Sequence, residues 1–237
     1  MSADPETPLP DEGVDVRDRL TAGRQRFLDL ELLCGAGALV PRPETEILGR
    51  AALDRLRAEP ASELRLVDMC CGAGNLACAL AAHLPHARVW ASDLTDGCVH
   101  WTKANIAHLG LGARVVVAQG DLFAGLDGFG LEGTIDAIVC NPPYISTGRL
   151  QTERAALLAL EPREAFDGGP YGLSVHQRVF TDAPRFLKPR GRIFMEFGLG
   201  QHRQVKVLAD RSRRFADVEF VADASGAPRV VIARLHS

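Results

Sequence analysis

Along the chain, apolar residues fall into short unbroken runs alternating with longer stretches whose apolar positions repeat at helical spacing. Leu64–Asp68, Arg88–Ser92, Arg114–Val117, Ile135–Cys140 and Arg192–Phe197 are runs of the first kind. Bounded by turn residues, they read as buried parallel strands. Asn75–Leu84, Asp96–Leu109, Leu173–Leu187 and Gln201–Ala209 read as the helices between and after them. Such alternation requires a mostly parallel sheet with right-handed crossovers and helices on both faces. Phe215–Val221 and Arg229–Arg234, joined by Ser225-Gly226-Ala227-Pro228, predict a closing antiparallel hairpin. Nearer the start, Val16, Leu20, Phe27, Leu28 and Leu30 predict one helix over Asp15–Leu33, running into a short extended piece. Thr45 is placed to cap a following helix with the stripe Ile47, Leu48, Ala51, Ala52 and Leu56. The expected organisation is a disordered, acidic, proline-broken leader over 1–13, a helical extension over 14–60 and an α/β domain over 61–237.

Length and charge narrow the class. A chain of 237 residues can bury a sizeable core. Its 30 acidic residues outnumber 27 basic ones, which form no long run, so a nucleic-acid partner is disfavoured. No signal peptide and no apolar stretch long enough to span a bilayer is present, and a cytoplasmic location is expected. Cys34, Cys70, Cys71, Cys78, Cys98 and Cys140 form no C-x-x-C pair and read as reduced, buried thiols. The histidines have no metal-ligand spacing, so no metal is expected.

The candidate chemistry lies at the carboxyl ends of the strands, where open α/β sheets form their ligand crevice. Asn141-Pro142-Pro143-Tyr144 directly follows Ile135–Cys140. Its prolines stiffen the loop and remove two N–H groups, leaving carbonyls to accept bonds, while Asn141 adds an acceptor and Tyr144 an aromatic face. The stretch suits a planar, N–H-bearing ligand; its bland reading is a rigid turn. After the first strand, Asp68-Met69-Cys70-Cys71-Gly72-Ala73-Gly74 carries glycines that permit close backbone approach, without the full dinucleotide fingerprint. Asp93 ends the second strand, about where an acid meets ribose hydroxyls in such folds. Gly120-Asp121-Leu122-Phe123 follows the third and could frame an adenine. Together the three strand ends favour an adenosyl ligand.

These motifs, with Pro41-Arg42-Pro43-Glu44-Thr45-Glu46, Glu161-Pro162-Arg163-Glu164-Ala165-Phe166-Asp167-Gly168-Gly169, the segment around Glu196, Gly198 and Gln201, and Gly226-Ala227-Pro228-Arg229, resemble the HemK-type methyltransferases over about residues 25–236. That family methylates a glutamine side-chain amide in peptide chain release factors. The resemblance implies a Rossmann-like class I S-adenosylmethionine-dependent methyltransferase fold, with a seven-stranded mostly parallel sheet and a C-terminal antiparallel hairpin. It implies S-adenosylmethionine as cofactor, bound by Asp68, Cys70, Gly72 and Gly74 at the methionine part, Asp93 and Leu94 at the ribose, and Asp121 and Leu122 at the adenine. Asn141, Pro142 and Tyr144 would form the catalytic cradle. Two departures stand out. Cys70 occupies the family's usual first glycine, and only about 25 residues precede the resemblance, where the family carries a helical docking domain. A small-molecule amide or amine is therefore the expected acceptor, with a release factor less expected. Two other readings stand beside it. Asn141 could hold the cofactor's own α-amino group, giving cyclisation to azetidine-2-carboxylate with loss of methylthioadenosine. A non-catalytic adenosyl-binding scaffold is the last.

Overall fold

The computed structural model describes residues 12–59, 63–153 and 158–237. The N-terminal part comprises α1 (Glu12–Ala22), β1 (Arg24–Phe27), β2 (Leu30–Leu33) and α2 (Thr45–Arg57). The expected single helix over Asp15–Leu33 is thus corrected: it ends at Ala22, and an antiparallel hairpin follows. Gly23, at φ 68°, closes the helix by donating its N–H to the Arg19 carbonyl. Leu28 (φ 45°) and Asp29 (φ 67°) are both left-handed, as the two-residue turn of a tight hairpin demands. The apolar spacing read as helical therefore belongs partly to two strands. Of the predicted leader, residues 1–11 lie outside the described residues, and Glu12 and Gly13 belong to α1.

The hairpin is tied to the rest by buried Asn105, whose Nδ2 donates to the Leu33 and Ala73 carbonyls and whose Oδ1 accepts from Leu33 N–H. Thr45 does not cap α2; the helix is preceded by Glu44 in a helical conformation without a side-chain cap, and the Thr45 hydroxyl is engaged elsewhere.

The α/β part runs β3 (Leu64–Met69), α3 (Asn75–His83), β4 (Ala87–Asp93), α4 (Asp96–His108), β5 (Val115–Gln119), β6 (Ile135–Cys140), α5 (Thr147–Glu153), α6 (Ser174–Phe186), β7 (Leu187–Glu196), α7 (His202–Ser212), β8 (Phe215–Ala222) and β9 (Pro228–Leu235). The seven strands β3–β9 form one sheet in the order β5-β4-β3-β6-β7-β9-β8. β3 to β7 are mutually parallel, and β9 lies antiparallel between β7 and β8. This is the seven-stranded, mostly parallel Rossmann-like sheet with a closing antiparallel hairpin that the resemblance implied.

Alternate strand residues feed two apolar clusters. Leu66, Ala91, Val139 and Phe194 pack with α2 and α3 on one face. Val67, Ile138, Ile193 and Met195 pack with α6 and α7 on the other. The stripe His176, Val179, Phe180, Ala183 and Phe186 fixes which side of α6 faces the sheet. Burying one such phenylalanine contributes about 1.5–3 kcal/mol. The strand order reverses beside β3, whose Met69 pairs with Cys140 of β6. The first residues of the two following loops, Cys70 and Asn141, therefore start from neighbouring strand ends at the switch point. Among the described residues no helix is long and apolar enough to cross a membrane.

Candidate functional site

The β3–α3 loop gets its shape from left-handed backbone at Cys70 (φ 58°), Gly72 (φ 56°) and Gly74 (φ 78°). A Cβ on Gly74 would come within 2.8 Å of the Thr102 side chain, so this glycine lets the loop press against α4. Asp68 lies fully buried beneath the loop. Its Oδ2 accepts the Ala77 N–H at 2.8 Å, satisfying one donor near the start of α3, and its Oδ1 has no partner among the described residues. Burial pushes its carboxyl up to about 8. At the end of β4, Asp93 fixes the same loop from the side: its Oδ2 accepts the Gly72 N–H at 2.8 Å. Burial raises this carboxyl too, against the hydrogen bonds it receives. Beyond β5, Asp121 is exposed and paired with Arg178 of α6 at 2.9 Å. Leu122 beside it is buried at φ 53°.

The β6 loop brings in residues from far along the chain. Asn141 donates from Nδ2 to the Thr45 hydroxyl of α2 at 2.9 Å, across 96 positions of sequence. That leaves Oδ1 as the side-chain atom open to a ligand. Pro142 is buried, and the Tyr144 carbonyl accepts from Gln201 Nε2 at 2.9 Å. The Tyr144 hydroxyl points at Glu196 Oε1, 3.4 Å away, at the end of β7. Glu196 is buried, with Arg229 at 3.9 Å. Burial outweighs the neighbouring Thr45, Arg229 and Tyr144 groups and lifts its carboxyl to about 7. His176 packs behind it, its Nε2 at 3.0 Å from the Glu196 carbonyl, and burial lowers this imidazole to about 4.

Two segments outside the sheet complete the walls. Glu161 has a fully buried side chain that accepts the Val40 N–H at 2.8 Å and pairs with Arg42 at 2.5 Å. It binds the segment before α2 to the loop containing Arg163–Ala165. Within that loop Asp167 accepts from Thr147, Arg163 and the Gly169 N–H, and these donors hold its carboxyl below its usual range.

The cleft between these segments has a volume of about 390 Å³. Of the residues singled out from sequence, Cys70, Gly72, Asp93, Leu94, Asp121, Leu122 and Asn141 line it. Asp68 and Gly74 sit behind the loop, and Pro142 and Tyr144 behind Asn141, without forming its wall. The sequence reading gave no site role to Thr45, Arg42, Val175 or Arg178, which also line it. The proline-rich run before α2 hinted at Arg42 and Thr45, with Arg42 pairing to Glu161, 119 positions away, and no sequence signal marked Val175 or Arg178.

The model of the methyltransferase small domain matches residues 49–164. The release factor glutamine methyltransferase of Moorella thermoacetica is 36% identical over 211 residues, covering 89% of this chain and 72% of that protein. The chain belongs to the release factor glutamine methyltransferase family. It is an S-adenosylmethionine-dependent methyltransferase, as the sequence resemblance implied. Among solved structures, the methyltransferase domain of METTL16 superposes with a TM-score of 0.61 at 16% identity, covering 95% of this chain and 94% of that one. M. jannaschii TYW2 in complex with AdoMet gives 0.54 at 15% identity, covering 89% and 84%. Both show the fold alone. The methyltransferase's cavity suits the family's cofactor chemically. It sets a half-buried carboxylate, Asp93, among mostly apolar walls, next to backbone at Gly72 where even a Cβ would meet no atom within 4 Å.

Proposed function

We propose that this methyltransferase moves a methyl group from S-adenosylmethionine to the nitrogen of a primary carboxamide held by Asn141. The observation that carries this is the Asn141 side chain at the cavity wall, its Nδ2 taken by Thr45 and its Oδ1 open. When bound, the cofactor supplies an electrophilic methyl group on a sulfonium. Asp93, with Leu94 beside it, would hold the ribose, and Asp121 with Leu122 the adenine. Cys70 and Gly72 would border the methionine part, shaped from behind by Asp68 and Gly74. Asn141 Oδ1 would accept one N–H of the acceptor, and the Pro142 carbonyl, set behind Asn141, would accept the other once the acceptor reaches past the cavity wall, with Tyr144 bracing the loop. An amide nitrogen is a weak nucleophile because its lone pair is delocalised. Fixing both N–H groups orients that lone pair, so positioning supplies most of the rate and the proton leaves to solvent afterwards.

The names of the relatives favour a protein-borne glutamine over the small-molecule acceptor expected from the sequence. The test is incubation of the enzyme with S-adenosylmethionine and, separately, a bacterial release factor, free glutamine or nothing. Methylated release factor and S-adenosylhomocysteine are expected in the first arm, and both vanish in Asn141→Ala. Turnover on free glutamine alone would return the acceptor to a small molecule. Methylthioadenosine formed without any acceptor would replace methyl transfer by cofactor cyclisation. Full activity of Asn141→Ala would reduce the proline loop to a turn.

A further inference from the structure

An amide side chain is nearly symmetric in shape, so an asparagine that must present its oxygen needs something to stop it rotating by half a turn. In this site the stop is a chain of three side chains from three elements. Asn141 Nδ2 meets the Thr45 hydroxyl at 2.9 Å, and that hydroxyl lies near enough to the Glu196 carboxyl to favour its ionised form, with no hydrogen bond of standard length between the two. Thr45 and Glu196 are both buried, with 2% exposure each, and Glu196 Oε2 makes no hydrogen bond of standard length to another described residue.

A hydroxyl carries one hydrogen, and where it goes decides what else the oxygen does. With Glu196 ionised, the Thr45 hydrogen is drawn to the carboxylate. The Thr45 oxygen can then only accept, so Asn141 must offer Nδ2 and leave Oδ1 for a ligand. With Glu196 protonated, the carboxyl can donate to Thr45. The Thr45 hydrogen is then free to bond Asn141 Oδ1, and the reversed amide offers a ligand only donors. Two N–H groups cannot bind two N–H groups. We propose that Thr45 and ionised Glu196 are positioning residues that lock the Asn141 amide with its carbonyl toward the acceptor, an inference that rests on the reading of Asn141 as the acceptor cradle.

The surroundings of Glu196 fit a group held near balance. Arg229 at 3.9 Å and the Tyr144 hydroxyl at 3.4 Å favour the ionised form. Burial and the Glu44 carboxylate oppose it. Among the described residues His176 hydrogen-bonds only the Glu196 backbone carbonyl, and it is held neutral by burial. The sum leaves the Glu196 carboxyl titrating at about 7. A carboxyl in this position makes the lock engage as pH rises through that value.

The test needs two readouts on Thr45→Val, Thr45→Ser, Glu196→Gln and Asn141→Ala. The first is the pair of side-chain amide nitrogen–proton resonances of Asn141 in the free enzyme, assigned by their loss in Asn141→Ala. They are expected to titrate near pH 7 in the parent and in Thr45→Ser, and to stop titrating in Thr45→Val and Glu196→Gln. The second is methylation of a release factor against pH. The parent should lose kcat/KM below about pH 7, with the acid limb absent in Glu196→Gln. Thr45→Val should lose about tenfold or more, with a smaller change in affinity for S-adenosylmethionine by calorimetry, and Thr45→Ser should restore most of it. Resonances that ignore pH in the parent, or a Thr45→Val enzyme with the parent's rate and pH profile while Asn141→Ala is inactive, would overturn this inference alone. An active Asn141→Ala would overturn the cradle beneath it as well. Should Thr45→Val fail to fold, Glu196→Gln and the parent's resonances still decide the matter.

Discussion

At Asp93 a single carboxylate serves the protein before it serves any ligand, because its Oδ2 already receives the Gly72 N–H. Asp93→Ala should therefore weaken S-adenosylmethionine by about 1–3 kcal/mol, through lost charge-assisted bonds and a loosened glycine loop together. Asp93→Asn, which keeps the acceptor for Gly72, should recover part of that, and isothermal titration of the three proteins measures both effects. Equal affinity in all three would remove Asp93 from the ligand's surroundings. Residues such as Asp93 and Asn141 were legible in the sequence because each closes an apolar run, and a strand end at a parallel sheet's carboxyl edge is a place with known use. Cys70 was legible as a departure, and its φ of 58° supplies the physical reason a glycine usually stands there. Thr45 and Glu161 were not legible in these roles. Thr45 reads locally as a cap and Glu161 as a loop acid. Their partners Asn141 and Val40 lie 96 and 121 positions away, beyond anything local spacing encodes.

Among the elements, α6 shows how a buried stripe anchors the site at a distance. Phe180 is buried to 1% exposure on that stripe and meets Phe215 edge to face, with ring centroids 5.6 Å apart. Phe180→Ala should cost about 3–5 kcal/mol in chemical denaturation, while the cofactor affinity of the fraction still folded changes little. A loss below about 1 kcal/mol would mean that α6 repacks around the gap. The strands of the parallel part were readable because burial on both faces makes their sequences continuously apolar. β7 begins at Leu187, earlier than its apolar run, since Leu187 pairs with Ile135 while Arg192 pairs with Ala137 and the residues between bulge outward. The hairpin β1–β2 was misread because Phe27, Leu28 and Leu32 all enter the core. A tight two-residue turn brings them together with a spacing that also suits a helix.

For the molecule as a whole, buried titratable groups predict how stability follows pH. Asp68 and Glu196 titrate at about 8 and about 7 in the fold, above their ordinary values of 3.8 and 4.5. Their contribution is therefore full below the unfolded values and is lost as pH rises through the folded ones. His176, lowered from 6.5 to about 4, contributes fully above 6.5 and loses that contribution as pH falls through 4. Between pH 6.5 and 8 these two carboxyls act in the same direction, so the denaturation midpoint should fall across that window, and Asp68→Asn with Glu196→Gln should remove most of that fall. A rising midpoint in the parent would contradict the raised titration of these two buried acids. The parallel run of β3 to β7 was foreseeable from alternation and handedness, whereas the place of β9 was not, since nothing in a hairpin's own sequence says which of its strands meets the sheet. That placement carries a consequence for assembly. β8 is joined to the sheet solely through β9, although β9 comes later in the chain. Until the last strand arrives, Ile193, Phe194 and Met195 of β7 present an unpaired apolar edge, open to the same edge of another molecule. A chain cut just before Pro228 should therefore sediment as aggregates and not as a slightly smaller enzyme. A soluble monomer from that truncation would show that the parallel half of the sheet guards its own border.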